Sequence, residues 1–162
     1  MSYEIDAKRG VANHYGARTT DGSKGAQTAS TGIIKRAQWD FSYDNLPASG
    51  TSNLQYVIPA NATVVSAKLY VDVAFTSTST TTDLVVGLYT SAGVAIDADG
   101  LVSASEATQT AIGTEGNVVT GAGALVGTTI GATAGEVVVA PTVDDLLTGK
   151  ARLVVEYVYD KN

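Results

Sequence analysis

The sequence predicts an all-β protein: a β-sandwich, in a jelly-roll arrangement of about eight strands, with an extended N-terminal arm and one or two short helices. After residue 33, apolar and polar residues alternate in short runs that Gly, Ser, Thr and Asn separate, as is typical of half-buried strands. Thr and Val are abundant, and their branching at Cβ suits a pleated sheet. A chain of 162 residues without cysteine is long enough to bury a core without disulfides.

The first 37 residues differ from the rest in charge and in hydrophobic pattern. They carry six of the ten basic residues and three of the sixteen acidic ones, a net charge of +3, whereas the rest carries −9 within a total of −6. Almost no hydrophobic periodicity precedes Ile33, so this segment cannot bury enough apolar surface to fold alone. We therefore predict two parts, an arm over residues 1–32 and a sandwich domain over residues 33–162.

Strands are predicted wherever the period of two residues is sustained. The first, over 33–43, places Trp39 and Phe41 on its inner face. The clearest, over 63–76, has six residues on its inner face: Val65, Ala67, Leu69, Val71, Val73 and Phe75. The polar link at 77–82 is interpreted as a hairpin tip between neighbouring strands. The remaining predicted strands are 54–58, 83–90, 117–120, 124–131, 135–140 and 150–159.

Two helical insertions are predicted between the strands. Ser103 and Glu106 have the spacing of a capping box, which predicts a helix over 104–112 that ends at Gly113 in the left-handed conformation. Thr142 opens a shorter helical turn that ends near Gly149, and the acidic pair Asp144 and Asp145 would complement its dipole.

The candidates for metal binding and catalysis are weak. Asp97 and Asp99 precede Gly100 and resemble half of a calcium loop, but the spacing of the EF-hand is not met; a structural turn is favoured, and the two aspartates are only weak metal candidates. His14 is the single histidine, and no serine lies in a nucleophile elbow. Carboxylate pairs that meet in space stay open. We expect no enzyme activity and no cofactor.

The composition argues against binding to nucleic acid and against insertion into a membrane. A pI near 4.5 argues against nucleic-acid binding by the body. The longest apolar runs have four or five residues, far fewer than a membrane span needs, and the N-terminus lacks the apolar region of a secretory signal.

A resemblance to a known group rests on the order of several short motifs. His14–Arg18 is followed by Thr19–Gly22, then by Ile58–Ala67 at the start of the long strand, and later by Asp97–Gly100. This order resembles small virion structural proteins of tailed bacteriophages, the capsid decoration or cement proteins. The resemblance implies a β-sandwich that assembles as a homotrimer on the capsid surface, with the major capsid protein as partner and an arm that reaches along the shell. It also fits a head-fibre or tail component.

The arm is predicted to carry the contacts with the partner. Its candidate residues are Lys8, Arg9, His14, Tyr15 and Arg18. Tyr15 would pack, Arg18 would pair with a carboxylate, and Lys8 and Arg9 would steer association.

Two further expectations concern the body. The last strand is partly apolar on both faces through Val154 and Val158, so it is predicted to lie centrally in a sheet or to be covered by a partner subunit. The alternative function is a carbohydrate-binding or adhesin-like recognition module, with surface aromatics as its platform. The candidate aromatics are Tyr56, Tyr70, Tyr89, Tyr157 and Tyr159.

Overall fold

The computed structural model describes residues 34–46 and 57–159, together with the backbone of residues 14–15 and 27–28. The strands β1 (His14–Tyr15) and β2 (Gln27–Thr28) form a short antiparallel pair, and eight longer or better-connected strands build the body. The strands of the body are β3 (Ile34–Ser42), β4 (Val57–Ile58), β5 (Thr63–Ser77), β6 (Leu84–Tyr89), β7 (Ala95–Val102), β8 (Val118–Gly121), β9 (Gly135–Pro141) and β10 (Leu146–Val158).

The body is an eight-stranded jelly roll. The first sheet has the order β3-β10-β5-β8 and the second has the order β4-β9-β6-β7, with every neighbouring pair antiparallel. The pairs β3–β10, β4–β9, β5–β8 and β6–β7 are nested along the chain, from the outermost to the innermost. This nesting is that of one long antiparallel hairpin folded over into two sheets, so the predicted fold class is confirmed.

Side chains from both sheets form one apolar core. Phe41 of β3, Phe75 of β5 and Tyr157 of β10 are its largest members from the first sheet, and the Phe41 and Phe75 rings lie 6.2 Å apart. Leu84, Val86 and Leu88, which alternate along β6, contribute from the second sheet. Trp39 is half-buried and packs against the core from the edge strand β3.

The long strand β5 departs from strict alternation. Its register with β10 shifts beside Val65 and again beside Asp72, where β5 has an extra residue. Such a bulge moves the residues that follow it to the opposite face, and a further register shift between Val73 and Thr76 returns Phe75 to the inner face. The inward positions predicted for Val65 and Val73 are therefore wrong, and both side chains are exposed. The other predicted inward residues of β5 are buried: Ala67, Leu69, Val71 and Phe75.

The segment 77–82 is not a hairpin tip, because β5 and β6 belong to different sheets. It crosses from the first sheet to the second, and Thr82 is fully buried in the crossing, with its hydroxyl 3.0 Å from that of Ser77. Among the described strands β3 to β10, the two that are consecutive in the chain and pair as a hairpin are β6 and β7, in the second sheet. The tip of this hairpin is closed by the Thr90 carbonyl, which accepts a hydrogen bond from the Gly93 amide at 2.9 Å.

Two segments have the opposite structure from the predicted one. Residues 97–100 lie in the edge strand β7 rather than in a turn, and Asp97 pairs with Leu88 of β6. Residues 124–131 form turns rather than a strand. The Val126 amide donates to the Gly123 carbonyl at 2.9 Å, and Gly127 and Gly131 have φ of 80° and 87°, which are turn conformations.

The predicted helix over 104–112 is reduced to α1 (Gln109–Ile112). Glu106 does accept a hydrogen bond from the Ser103 amide at 2.8 Å, but the Ser103 hydroxyl contacts the Ser105 hydroxyl instead of the helix backbone. Only half of the capping box forms, and Thr108 caps α1 in its place. No helix in the described ranges is long and apolar enough to cross a membrane.

The predicted glycine conformations also change. Gly113 ends α1 with φ of −79°, so the left-handed ending is wrong. The predicted helical turn over 142–149 is also wrong, because β10 begins at Leu146 and includes Gly149. Gly149 has φ of 128°, and a Cβ at this position would overlap the Phe75 ring. Asp144 therefore caps no helix; it accepts a hydrogen bond from the Thr78 hydroxyl at 2.7 Å.

Candidate interaction surface

The outer face of the first sheet carries three rows of side chains that run across the strands. The register places Arg36 of β3, Glu156 of β10 and Ser66 of β5 in one row. The next row holds Gln38, Val154, Lys68 and Thr120, and the third holds Asp40, Arg152, Tyr70 and Val118. We call these eleven side chains, together with Asp72, the outer face.

Opposite charges lie beside each other on the outer face. Arg36 is opposite Glu156, and Asp40 is opposite Arg152. Each such cross-strand pair stabilises a sheet by about 0.2–1 kcal/mol relative to an alanine pair. A shift of β3 by two residues would put Arg36 opposite Val154, so these charges favour the observed register between β3 and β10.

Arg152 is held in place by two neighbours on β5. Its guanidinium donates to the Asp72 carboxylate at 3.1 Å and lies 5.5 Å from the centre of the Tyr70 ring. Both charged side chains keep over a third of their surface in solvent, 41% for Arg152 and 47% for Asp72. Two contacts with β5 therefore fix the position of the Arg152 guanidinium, while part of its surface stays in solvent.

Val154 lies at the middle of the outer face, yet it is only 4% exposed. It is flanked by Gln38 on one side and Lys68 on the other, and long side chains of this kind can cover apolar neighbours. β10 is central in its sheet, as one of the two predicted alternatives requires. The burial of Val154 within one chain thus gives no support for a subunit contact at this residue.

The centre of the outer face of the second sheet is apolar. Gly87 of β6 is paired with Val138 of β9, and Val85 is paired with Ala140. Val138 is only 1% exposed, although it does not belong to the core between the sheets. The backbone of Asp97 and Ala98 in β7 passes so close to Gly87 that a Cβ there would overlap it. The second sheet therefore offers little polar surface at its centre.

The predicted partner-binding residues of the arm mostly lie outside the described residues. Lys8, Arg9 and Arg18 are in that part of the chain. His14 and Tyr15 form β1, whose backbone pairs with Thr28 and Gln27 of β2. Their proposed contacts with a partner stay predictions.

The weak metal candidates Asp97 and Asp99 lie on the edge strand β7. The Asp97 carboxylate accepts a hydrogen bond from the Asp99 amide at 3.4 Å, which is local to the strand. The described residues contain no group of three or more His, Asp or Glu side chains that could hold a metal ion.

The described tyrosines do not converge on one platform. Tyr70 lies on the outer face of the first sheet, and Tyr89 lies on the second sheet opposite Glu136. Tyr157 is buried in the core, while Tyr159 packs against the core beside the Lys35 ammonium group. Tyr56 lies outside the described residues. A sugar-stacking surface of the predicted composition is therefore not assembled by these four rings.

The sequence held a signal for the outer face that residue types alone did not reveal. Lys68, Arg36 and Arg152 are the polar phase of three alternating strands. Their neighbours across the sheet depend on which strands pair and in which register, and that information comes only from the fold.

Comparison with known proteins shows a likeness of fold. No protein-family model and no curated protein matches the chain. A chain in the capsid of Ralstonia phage GP4 matches with a TM-score of 0.55 and 23% identity, over 83% of this chain and 89% of that chain. A chain in the capsid asymmetric unit of cyanophage Pam1 matches with a TM-score of 0.53 and 22% identity, over 89% of this chain and 94% of that chain. The chain thus has the fold of chains found in two phage capsids, in agreement with the resemblance noted in the sequence.

Proposed function

We propose that this protein is a non-enzymatic structural component of a bacteriophage virion, a decoration protein that binds the capsid surface and stabilises the head. The observation that carries the proposal is the likeness of fold to chains in two phage capsid structures, which extends over more than four fifths of each chain. A match of that extent includes the whole architecture rather than one hairpin.

The outer face supports a role in binding a protein surface. It is broad, and two of its charged groups, Arg152 and Asp72, form an ion pair within the sheet. Ordered, partly exposed arginine and tyrosine side chains are enriched in protein interfaces. The proposed partner of this face is the major capsid protein, and copies of the chain would assemble as a homotrimer, which is the assembly that the resemblance implies.

The arm would add a second attachment. Docking an extended segment costs roughly 1–2 kcal/mol of backbone entropy per residue, so a few strong anchors must supply the affinity. Tyr15, Arg18, Lys8 and Arg9 are the proposed anchors, with His14 beside them.

Co-sedimentation with capsids that lack this protein tests the proposal. The full chain should bind and should raise the temperature at which the capsids release their genome. A variant without residues 2–30 should keep its melting transition but lose binding. A charge reversal on the outer face, Lys68→Glu, should weaken binding. The matched control is Lys150→Glu, because Lys150 is an exposed lysine of the same sheet that lies outside the three rows. This control should bind capsids as the full chain does.

The possible results distinguish the proposed function from the role of the arm. Failure of the full chain to bind capsids would contradict the proposed function. Full occupancy by the variant without residues 2–30 would contradict the role of the arm alone. Loss of folding in that variant would show that the segment belongs to the sandwich.

A further inference from the structure

The four strands at the edges of the two sheets differ in how well they could accept another strand. β4 has two residues and β8 has four, and the register of β7 with β6 is irregular. Short or bulged edges of this kind resist pairing with other chains. β3 is different, because its nine residues pair with β10 in an unbroken register from Ile34 to Ser42. Of the strands that the structure describes, only β10 pairs with β3.

We propose that the edge of β3 that no other described strand covers pairs with the same edge of a second copy of this chain, in an antiparallel register centred on Gln38. This contact would join two first sheets into one continuous eight-stranded sheet. Because it is two-fold symmetric, it is distinct from the contact that would close a trimer, and it goes beyond the proposed attachment to a capsid.

The charges on β3 favour this register. Centring the pair on Gln38 puts Arg36 of each copy opposite Asp40 of the other, so the contact contains two pairs of opposite charge. Gln38 faces its own equivalent, and two amide side chains can donate to and accept from each other. Within one chain the Arg36 guanidinium donates to Gln38 at 3.4 Å, and Gln38 donates to Asp40 at 3.5 Å. These three side chains therefore already lie in line along the edge.

Neighbouring registers lose this match. Centring on Ala37 would place Arg36 opposite Gln38, and centring on Trp39 would place Arg36 opposite Ser42. Charged residues on an edge strand usually oppose pairing, but here the order of one base and one acid around a central amide makes the strand complementary to itself.

The inner side of the same register is also complementary in size. Ala37 of each copy lies opposite Trp39 of the other. Trp39 is half-buried at the edge of the core, and the small Ala37 leaves room for a large ring beside it. A second copy would bury more of the Trp39 ring, and buried tryptophans are frequent energetic centres of interfaces.

Cysteine cross-linking of the full chain tests the register directly, because the natural sequence has no cysteine. Residues directly opposite each other in an antiparallel pair have Cα atoms about 4.5–5.5 Å apart, within the range of a disulfide. Gln38→Cys should therefore form a disulfide dimer under mild oxidation. Asp40→Cys alone should not, because its equivalent is four residues away along the strand, roughly 13 Å. The double variant Arg36→Cys with Asp40→Cys should cross-link again.

Thr120→Cys is the matched control, since Thr120 is exposed on the same face but at the opposite edge of the sheet. The proposal requires at least tenfold more dimer from Gln38→Cys than from Thr120→Cys at equal concentration. Equal yields from Gln38→Cys and Asp40→Cys would overturn the register. No dimer from Gln38→Cys, or a disulfide only to a cysteine-bearing capsid protein in assembled heads, would overturn the self-pairing.

Discussion

The outer face of the first sheet is polar, whereas the centre of the outer face of the second sheet is apolar, although both sheets have four strands and enclose the same core. On the first sheet, the charges of β3, β10 and β5 are arranged in rows with opposite signs side by side. On the second, Gly87 lies under the backbone of β7, and Val138 is fully buried. The difference indicates that the first sheet presents a polar surface to solvent, while the centre of the second sheet is covered within the chain.

Alanine substitutions of two glycines, one in each sheet, have the largest expected effects on stability and distinguish the two sheets. Gly149→Ala should lower the free energy of unfolding by about 3–5 kcal/mol, because the new Cβ overlaps the Phe75 ring and the φ of 128° is unfavourable for alanine. Gly87→Ala meets the backbone of β7 instead. It should act locally, so hydrogen exchange should rise in β7 while the first sheet stays protected. Equal exchange in both sheets of the Gly87 variant would contradict this separation.

The edge strand β3 offers a comparison within the first sheet. Phe41 is buried in the core, so Phe41→Ala should cost about 3–5 kcal/mol in denaturant unfolding. Trp39 is only half-buried, so Trp39→Ala should cost clearly less than Phe41→Ala in the monomer, despite the larger ring. An equal or larger cost for Trp39→Ala would show that its ring contributes to the core as fully as Phe41.

Two buried valines on the outer faces test the contrast most closely. Val138→Thr should cost about 1–3 kcal/mol, because its cross-strand neighbour Gly87 has no side chain that could bond the new hydroxyl. Val154→Thr is the matched change on the first sheet. It should cost less than about 1 kcal/mol, because Gln38 and Lys68 flank it with polar groups. The reverse order in thermal melts would show that the two faces do not differ as described.

The smallest expected effect concerns the ion pair on the outer face. Asp72→Asn should lower the free energy of unfolding by less than about 1 kcal/mol, since both partners are well exposed. The loss should shrink further as salt is added, because added ions screen exposed charges. A loss that is larger and independent of salt would show that Arg152 and Asp72 are more enclosed than their surfaces indicate.

The sequence predicted the fold better than it predicted the surface. Sustained alternation located β3, β5 and β10, because most of their inward residues keep a period of two. It failed at β7, where Asp97 and Asp99 are polar because the strand lies at an edge, and at residues 124–131, where glycines with positive φ turn an apolar segment. Val65 and Val73 were misplaced because bulges cannot be read from alternation.

The outer face was not predicted as a unit because its members come from four strands far apart in the chain. Lys68 and Gln38 become neighbours of Val154 only through the jelly-roll pairing. The motif Ser103–Glu106 shows the same dependence, since Glu106 divides its carboxylate between the Ser103 amide and the distant Ala122 amide. One carboxylate oxygen of Glu106 makes the local capping bond, and the other makes the tertiary contact with Ala122.

Quantitative mass spectrometry of gradient-purified virions tests the central claim most directly. The account predicts that this chain is present in many copies per particle, in a fixed ratio to the major capsid protein across every fraction that contains intact heads. Its absence from purified particles, or a ratio that varies freely between those fractions, would contradict a structural role in the virion.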